Sequence, residues 1–363
     1  MGSRIDMSSL IDMSSFIDWF VAFLFRWLPR SAPTGPFPVG HPDRDSPVLL
    51  TANFSLTLSR VKRALRGQNV WLLVANSQGI NVWCAACGGI FTHARVIDAI
   101  EVSGLAERVD HREVILPALS APGMDLEAIR AETGFRARFG PIYARDIPAY
   151  LEAGKKKTER MQRFEFGSRH RIDMFLSMNF PIYLMGALVL AIFWREYLLG
   201  YTILFWSALG LLYLLVDVLP GKTGWAQAFF SASLCALLWA GIDWYRYGDP
   251  LAHWGWLIAL FAVFLAAGFD LAGTASARRS DAEMVMKRLG PTRFGSLFRE
   301  RGSGQIQLVR DRCRGCGRCR EICPVGVYGG PDANGKIALN VRDCCFACGA
   351  CVKQCPQGAL SLG

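Results

Sequence analysis

The sequence predicts a chain of three folded parts: an α/β domain, a group of transmembrane helices and a small cysteine-rich domain. Short apolar runs that alternate with helical patterns over residues 47–154 indicate the first part. Long apolar stretches over residues 180–272 indicate the second, and two repeated cysteine runs within residues 305–363 indicate the third. With 363 residues and 52% apolar content, the chain has room for several domains. Residues 155–179 and 273–304 are predicted to be linkers, the first of them basic.

The N-terminal residues 1–46 are predicted to form an interfacial helix followed by a linker. The apolar part, Phe16–Leu28, is short for a membrane span and contains Arg26, so an amphipathic helix at the membrane surface is expected. A fifth membrane segment and a signal sequence are the alternatives. Several prolines between Arg30 and Pro47 indicate a linker.

Residues 47–154 are predicted to form a Rossmann-like α/β domain with a parallel sheet. The expected strands are Val48–Thr51, Val70–Ala75, Val114–Leu116 and Ala137–Phe139. The expected helices are Leu56–Arg66, Phe91–Ser103, Asp125–Thr133 and Ile147–Ala153. In such a sheet a ligand binds beyond the carboxyl ends of the strands. The loops at those ends are Thr51–Asn53, Asn76–Trp83, Pro117–Gly123 and Gly140-Pro141.

One of these loops runs into the segment Asn81-Val82-Trp83-Cys84-Ala85-Ala86-Cys87. A Trp-Cys-x-x-Cys motif that follows a strand is typical of thioredoxin-like redox sites, in which two neighbouring thiols exchange with a disulfide. A redox-active dithiol formed by Cys84 and Cys87 is therefore one hypothesis for this loop.

Four apolar stretches are predicted to cross a membrane as two hairpins. They are Phe180–Trp194, Tyr197–Leu219, Trp225–Trp244 and Trp254–Leu271, and each approaches the roughly 20 residues that span a bilayer. Tryptophans lie near their ends, where amphipathic rings prefer the membrane interface. A buried soluble core is the alternative, but soluble helices are seldom apolar on all faces.

Basic residues on both sides of these stretches predict the orientation of the chain. Seven lysines and arginines lie within residues 155–171, and four lie within residues 278–288. Cytoplasmic flanks of membrane spans carry an excess of such residues. We therefore expect a multi-pass protein of the cytoplasmic (inner) membrane, with its soluble domains in the cytoplasm. This topology accounts for most of the net charge of +10, and no nucleic-acid partner is predicted.

Residues 305–363 are predicted to form a bacterial-type ferredoxin domain, an α+β fold with two [4Fe–4S] clusters. Both cysteine runs have the spacing Cys-x2-Cys-x2-Cys-x3-Cys-Pro. In this pattern the fourth cysteine of each run binds the other cluster. One predicted ligand set is Cys313, Cys316, Cys319 and Cys355; the other is Cys345, Cys348, Cys351 and Cys323. A zinc ribbon or a disulfide scaffold is the alternative, but neither explains a duplicated run closed by Cys-Pro.

The wider sequence around Cys84 resembles the corrinoid protein family of microbial mercury methylation, HgcA. The likeness begins with Asn81-Val82-Trp83-Cys84-Ala85-Ala86 and includes Leu50-Thr51-Ala52-Asn53-Phe54 upstream. Downstream it includes Ile115-Leu116-Pro117, Ala121-Pro122-Gly123 and Gly140-Pro141. The membrane region, and a ferredoxin similar to the family's partner HgcB, extend the likeness over nearly the whole chain. The chain thus resembles a fusion of these two proteins, which are related to the corrinoid iron–sulfur proteins.

This resemblance implies a cobalt corrinoid over the α/β sheet, with Cys84 as the catalytic residue and lower axial ligand. A soft thiolate is a chemically reasonable ligand for cobalt. The positions expected to contact the corrinoid are Thr51, Asn53, Asn81, Val82, Trp83, Cys84, Ala85, Gly88, Gly89, Pro117 and Gly123. The chain departs from the family signature at Cys87-Gly88-Gly89, where the family has Gly-Lys-Gly.

The activity that the resemblance implies is methyl transfer to a metal-ion acceptor such as Hg(II). The methyl group would come from an upstream donor protein or a methyl-folate type donor. A ferredoxin on the same chain would re-reduce oxidised cobalt at high effective concentration. The rival hypothesis is a membrane-bound iron–sulfur electron-transfer protein that uses the CxxC dithiol and has no methyltransferase activity.

Overall fold

The computed structural model describes residues 16–26, 28–164, 167–215, 218–220, 224–250, 254–270, 306–340, 345 and 347–362. The chain divides into two compact units. One unit combines Leu28–Phe164 with the cysteine-rich C-terminal domain, and the other contains the apolar helices between Glu165 and Gly290. The predicted linker at 273–304 lies outside the described residues.

The α/β domain is built on a five-stranded sheet with the strand order β1-β3-β2-β4-β5. The strands are β1 Gly35–Val39, β2 Val48–Ala52, β3 Val70–Ala75, β4 Glu113–Leu116 and β5 Arg136–Phe139. Strands β2 to β5 are parallel, whereas β1 pairs antiparallel with β3 at the sheet edge. The predicted parallel sheet and its four predicted strands are therefore confirmed.

Strand β1 corrects the sequence-based assignment of this segment to a linker. Pro36 and Pro38 lack the N–H groups that a central strand needs, so a strand with two prolines is tolerated only at a sheet edge. Phe37 and Val39 are buried together with Leu72 and other residues of the sheet. Burial of these apolar side chains stabilises a strand that the local sequence disfavours.

Helices cover both faces of the sheet, as expected for a parallel sheet. They are α2 Ser55–Ala64, α3 Val82–Cys87, α4 His93–Val102, α5 Leu105–Arg108, α6 Leu126–Thr133 and α7 Ile147–Glu152, and α1 Phe16–Leu24 precedes the domain. Alternate residues of β3 face opposite sides. Leu73 packs in the core with α4 and α6, and Leu72 packs in the core with α2 and α7. The helix predicted near Phe16 is present, and its interfacial location stays a prediction.

Four apolar helices form where membrane spans are predicted. They are α8 Ser168–Phe193, α9 Leu198–Leu214, α10 Gly224–Tyr247 and α11 Trp254–Asp270. Among the described residues, three segments of 26, 20 and 22 residues are long and apolar enough to cross a membrane: Ser168–Phe193, Arg195–Leu214 and Ala226–Tyr247. Helix α11 has 17 residues, which is the lower end of the usual range of spans. Because α8 begins at Ser168, the basic linker predicted at 155–179 is too long.

The C-terminal domain has the predicted α+β fold. Its elements are β6 Ile306–Leu308, α12 Arg318–Ile322, β7 Tyr328–Pro331, β8 Ile337–Leu339, α13 Ala350–Lys353 and β9 Leu360–Leu362. Strand β6 pairs antiparallel with β9, and β7 pairs antiparallel with β8. The two short helices both follow a glycine with a positive φ, Gly317 at 75° and Gly349 at 73°. Glycine adopts this backbone conformation without steric cost, so each cysteine run turns tightly into its helix.

Candidate cofactor sites

Four cysteines of the C-terminal domain, Cys313, Cys316, Cys319 and Cys355, line a single cavity. Cys355 belongs to the second run, so the chain brings together the crossed set that the spacing predicts. Backbone amides point at two of the sulfur atoms. Gly315 N donates to Cys313 Sγ at 3.5 Å, and Ala359 N donates to Cys355 Sγ at 3.3 Å. The cavity thus offers the four thiols that hold a [4Fe–4S] cluster, together with amide hydrogen bonds of the kind that tune one.

Four further cysteines, Cys323, Cys345, Cys348 and Cys351, form a second group. Burial raises the pKa of the Cys351 thiol to about 12, and the nearby thiols of Cys323 and Cys345 contribute to this rise. Ala347 N donates to Cys345 Sγ at 3.4 Å, which repeats the amide-to-sulfur contact of the first group. Within the described ranges, no group of three His, Cys, Asp or Glu residues is arranged to hold a single metal ion. The second group, like the first, offers four thiols and an inward-pointing amide.

Helix α3 carries Cys84, the predicted catalytic residue. The helix starts after Asn81, whose side-chain Oδ1 accepts a hydrogen bond from Cys84 N at 2.9 Å. Such a cap satisfies one of the free N–H groups of the first helical turn. Ala85 and Ala86 are completely buried, whereas Cys84 is exposed. The alanines therefore anchor α3 to the domain, and Cys84 stays open to a ligand from outside.

The loop that leads into α3 is held by Asn53, at the carboxyl end of β2. Asn53 Oδ1 accepts hydrogen bonds from Ser77 N at 2.8 Å and Gly79 N at 3.1 Å. Its Nδ2 donates to Ala32 O at 3.1 Å. Asn53 is only 4% exposed, and Thr51 within β2 is only 2% exposed. The structure thus buries both of these predicted cofactor contacts, and Asn53 supports the loop.

Other predicted contact residues divide between the interior and the open side of α3. Gly123 ends a short 3₁₀ helix, Ala118–Gly123, which follows the half-buried Pro117 and packs against α3. A Cβ atom at Gly123 would overlap the carbonyl oxygen of Phe91, so this close packing requires glycine. Val82 and Ala85 are also buried. The members of the set that keep exposed surface near Cys84 are Asn81, Trp83, Gly88 and Gly89.

The C-terminal domain docks beside α3 through its second cysteine group. Cys348 and Ala350 pack into the same core as Ala85 of α3. Burial raises the pKa of the Cys348 thiol well above its usual value, and the neighbouring thiol of Cys87 adds to the rise. Cys87 is the last residue of α3. The two thiols of the CxxC motif therefore differ, because Cys84 is exposed and Cys87 lies beside a predicted cluster ligand.

Two polar contacts, each with at least one buried side chain, join the C-terminal domain to the α/β domain. Gln354 Nε2 donates to Met124 O at 2.7 Å, and the Gln354 side chain is buried. Lys157 Nζ lies 2.8 Å from Glu321 Oε1, with the Lys157 side chain only 5% exposed. Loss of one partner would leave a buried polar group without its hydrogen bond or counter-charge, which lowers stability. Sequence reasoning missed them, since nothing in the local pattern around Gln354 or Lys157 indicates a partner.

Comparisons with known proteins identify both domains of this unit. Residues 28–151 match the family model of the CO dehydrogenase/acetyl-CoA synthase delta subunit. Residues 312–360 match the 4Fe-4S dicluster domain. The chain thus has one region similar to the CO dehydrogenase/acetyl-CoA synthase delta subunit and a second region similar to the 4Fe-4S dicluster domain. This agrees with the expected relation to corrinoid iron–sulfur proteins, and the likeness to the mercury-methylation family stays a prediction.

The chain is similar to gamma subunits of the acetyl-CoA decarbonylase/synthase complex. It is 36% identical over 116 residues to the subunit of Archaeoglobus fulgidus, a match that covers 31% of this chain and 24% of that protein. It is 37% identical over 129 residues to gamma subunit 1 of Methanosarcina thermophila, covering 34% and 27%. For Methanocaldococcus jannaschii the identity is 42% over 95 residues, covering 26% and 20%. The chain therefore spans about a quarter of the length of these relatives.

Proposed function

We propose that this protein is a membrane-anchored, corrinoid-dependent methyltransferase that carries its own ferredoxin reductant. The observation that carries the proposal is the placement of helix α3. Its exposed Cys84 follows the carboxyl end of strand β3, the edge at which ligands bind in many parallel sheets, and its Cys87 lies beside Cys348 of the second cysteine group. One short helix therefore connects a site for the methyl carrier with a source of electrons.

The residues around Cys84 fit a flat corrinoid ring. The thiol is exposed, and Gly89, one turn further along the chain, has no side chain. A Cβ atom at Gly89 would meet nothing within 4 Å, so this side of α3 has open space. A bound corrinoid supplies a cobalt ion that can carry a methyl group. Cys84 would hold that cobalt through its sulfur atom, a soft donor that suits the metal.

The other residues of the site keep Cys84 in place. Asn81 caps the first turn of α3, and Ala85 and Ala86 pack that turn into the domain core. A ligand residue on a well-packed helix keeps its geometry better than one on a free loop. Gln354 and Lys157 hold the ferredoxin domain against the α/β domain. Re-reduction after stray oxidation then needs no diffusional encounter, because donor and acceptor share one chain.

The substrates and the cellular location are further parts of the proposal. We propose an upstream methyl donor protein or a methyl-folate type donor, and a thiophilic metal ion such as Hg(II) as the acceptor. The resemblance of Asn81–Ala86 to the mercury-methylation family supports this choice. Three helices of 26, 20 and 22 residues support anchoring in the cytoplasmic membrane. The basic flank at 155–171 supports cytoplasmic soluble domains.

Metal analysis after anaerobic purification tests the proposed function. We expect about one cobalt and about eight iron atoms per chain, the content of one corrinoid and two [4Fe–4S] clusters. The same preparation, charged with a methyl group, should transfer it to Hg(II). Iron without cobalt would contradict the proposal and support the rival, an electron-transfer protein with a Cys84–Cys87 dithiol. If cobalt is present and the methyl group goes only to other acceptors, the proposed methyl transfer stands and mercury as its acceptor is contradicted.

A further inference from the structure

The two cysteine groups of the C-terminal domain have different surroundings. The group that contains Cys348 packs against the core of the α/β domain. The group that contains Cys313 lines a cavity in the C-terminal domain itself, and its member Cys316 is exposed. Two arginines, Arg314 and Arg318, also line that cavity. Within the described part of the chain, one group thus packs against a second domain, and the other, which has an exposed member, is the more accessible.

Positive charge is concentrated around the accessible group. Residues 310–320 contain five arginines and one acidic residue, Asp311. Two of the arginines have acidic partners, since Arg310 pairs with Asp332 and Arg320 with Glu159. The remaining three are exposed, and none has a salt bridge to a described residue: Arg312, Arg314 and Arg318. We call these three residues the arginine face.

An acidic protein suits the arginine face better than a membrane surface does. The positive charge that sets membrane topology flanks the spans, whereas these arginines alternate with the cysteines Cys313, Cys316 and Cys319 inside a folded domain. A localised positive field raises the association rate constant with a negatively charged partner by roughly 10-fold to 1,000-fold. This field lies beside an exposed cluster ligand, Cys316. An acidic partner that it attracts is therefore well placed to deliver electrons.

We propose that the arginine face is the docking site of an acidic one-electron carrier protein. The inference rests on the proposed function for its last step, the delivery of the electron at α3. Cys313, Cys316, Cys319 and Cys355 would hold the cluster that accepts one electron from the reduced centre of the carrier. The Cys348 group would hold a second cluster, beside Cys87, from which the electron would reduce the oxidised cobalt of the corrinoid. Each transfer would oxidise one centre and reduce the next by one electron, with no bond formed or broken.

Stopped-flow reduction of the complete, cluster-loaded protein tests the arginine face. The electron donor is a reduced, acidic [2Fe–2S] ferredoxin, and the bleaching of the [4Fe–4S] absorption is followed in detergent under anaerobic conditions. The test variant is Arg312→Gln/Arg314→Gln/Arg318→Gln. The matched control removes three exposed arginines of the α/β domain, Arg63→Gln/Arg66→Gln/Arg136→Gln, and therefore makes the same change in net charge.

We expect the second-order rate constant to fall by about tenfold or more in the test variant at low ionic strength, and by less than about twofold in the control. The wild-type rate constant should fall steeply with added salt, and the total bleaching reached with excess dithionite should be the same in all three proteins. Equal rate constants in the two variants, or a wild-type rate independent of salt, would overturn the proposal. So would an unchanged rate combined with lost binding to vesicles that contain phosphatidylserine, because the face would then contact lipid.

Cobalt takes no part in this measurement, so the two proposals fail separately. A salt-independent rate overturns the docking face while the proposed methyl transfer stands. A preparation without cobalt contradicts methyl transfer, and its clusters still report whether the arginine face receives the carrier.

Discussion

Cys84 and Cys87 lie one helical turn apart on α3, and their surroundings differ. Cys84 is exposed, and its backbone N–H is held by Asn81. Cys87 is half-buried and lies beside Cys348 of the C-terminal domain. In the sequence the two form one CxxC motif, which indicates a dithiol. In the structure the motif is divided between an exposed side and a domain interface, so the two thiols have different neighbours, which the spacing alone does not indicate.

The largest expected effect is that of Cys84→Ala on methyl transfer. If Cys84 holds the cobalt, its loss should lower the rate by more than about 100-fold, the scale on which removal of one preorganised group acts. Cys87→Ala is the matched control and should keep both the rate and the corrinoid absorption spectrum. Rates and spectra of the purified, corrinoid-loaded variants provide the measurement. A dithiol mechanism predicts equal loss in both variants, because neither cysteine alone can close the disulfide.

A smaller effect is expected from Gln354→Ala, which weakens the contact that brings Cys348 to Cys87. The change removes the Gln354 amide that donates a hydrogen bond to the carbonyl oxygen of Met124. The unpaired carbonyl should cost about 1–3 kcal/mol of local stability. Native-state hydrogen exchange of the amides in α3 and in residues 118–124 measures this free energy. The control is Gln307→Ala on the exposed side of β6, with an expected cost below about 0.5 kcal/mol. Equal exchange in the two variants would show that Gln354 does not hold the domains together.

The sequence predicts most of the α/β domain because its signals are local. Strand β3 is predicted with its observed bounds, Val70–Ala75, since its unbroken apolar run is bounded by polar residues. Strand β1 is missed, since Pro36 and Pro38 indicate a linker and only pairing with β3 makes a strand of them. Helix α8 begins at Ser168, whereas the sequence predicts a start at Phe180. Its first turns are polar, so the apolar pattern that indicates a membrane span does not include them.

The cysteine groups are predictable for the same reason, whereas the surroundings of Cys87 are not. The spacing of each run places Cys313, Cys316 and Cys319 together, and the crossover adds Cys355. Contact between Gln354 and Met124 joins residues 230 positions apart, and it exists only once both domains have folded. At Asn53 the sequence predicts a ligand contact, because a polar residue ends a strand, but its hydrogen bonds to the loop before α3 are visible only in the folded chain.

The smallest expected effect lies away from both thiols, at Glu113 of β4. Burial opposes ionisation of this carboxyl group, but its hydrogen bond with Lys155 and the charges of Lys155 and Arg138 outweigh it and lower the pKa. A lowered pKa in the folded state stabilises the fold above the usual pKa of a glutamate, and this contribution is lost as the pH falls. Glu113→Gln should cost less than about 1 kcal/mol at pH 7, since the pair is partly exposed.

Unfolding of the wild type and the Glu113→Gln variant at several pH values measures the difference between their free energies of unfolding. It should shrink as the pH falls through the range in which Glu113 takes up its proton, and the corrinoid spectrum should not change. A difference that grows at acidic pH would contradict the assigned ion pairs. An altered corrinoid spectrum would show that the site extends beyond the surroundings of Cys84.

X-ray absorption at the cobalt edge tests the central assignment most directly. It reports the type of atom next to cobalt in the corrinoid-loaded wild type, Cys84→Ala and Cys87→Ala proteins. We predict a sulfur neighbour in the wild type and in Cys87→Ala, replaced by a lighter atom in Cys84→Ala. A wild-type spectrum without sulfur, or the same sulfur signal in all three proteins, would contradict the assignment of Cys84 as the cobalt ligand.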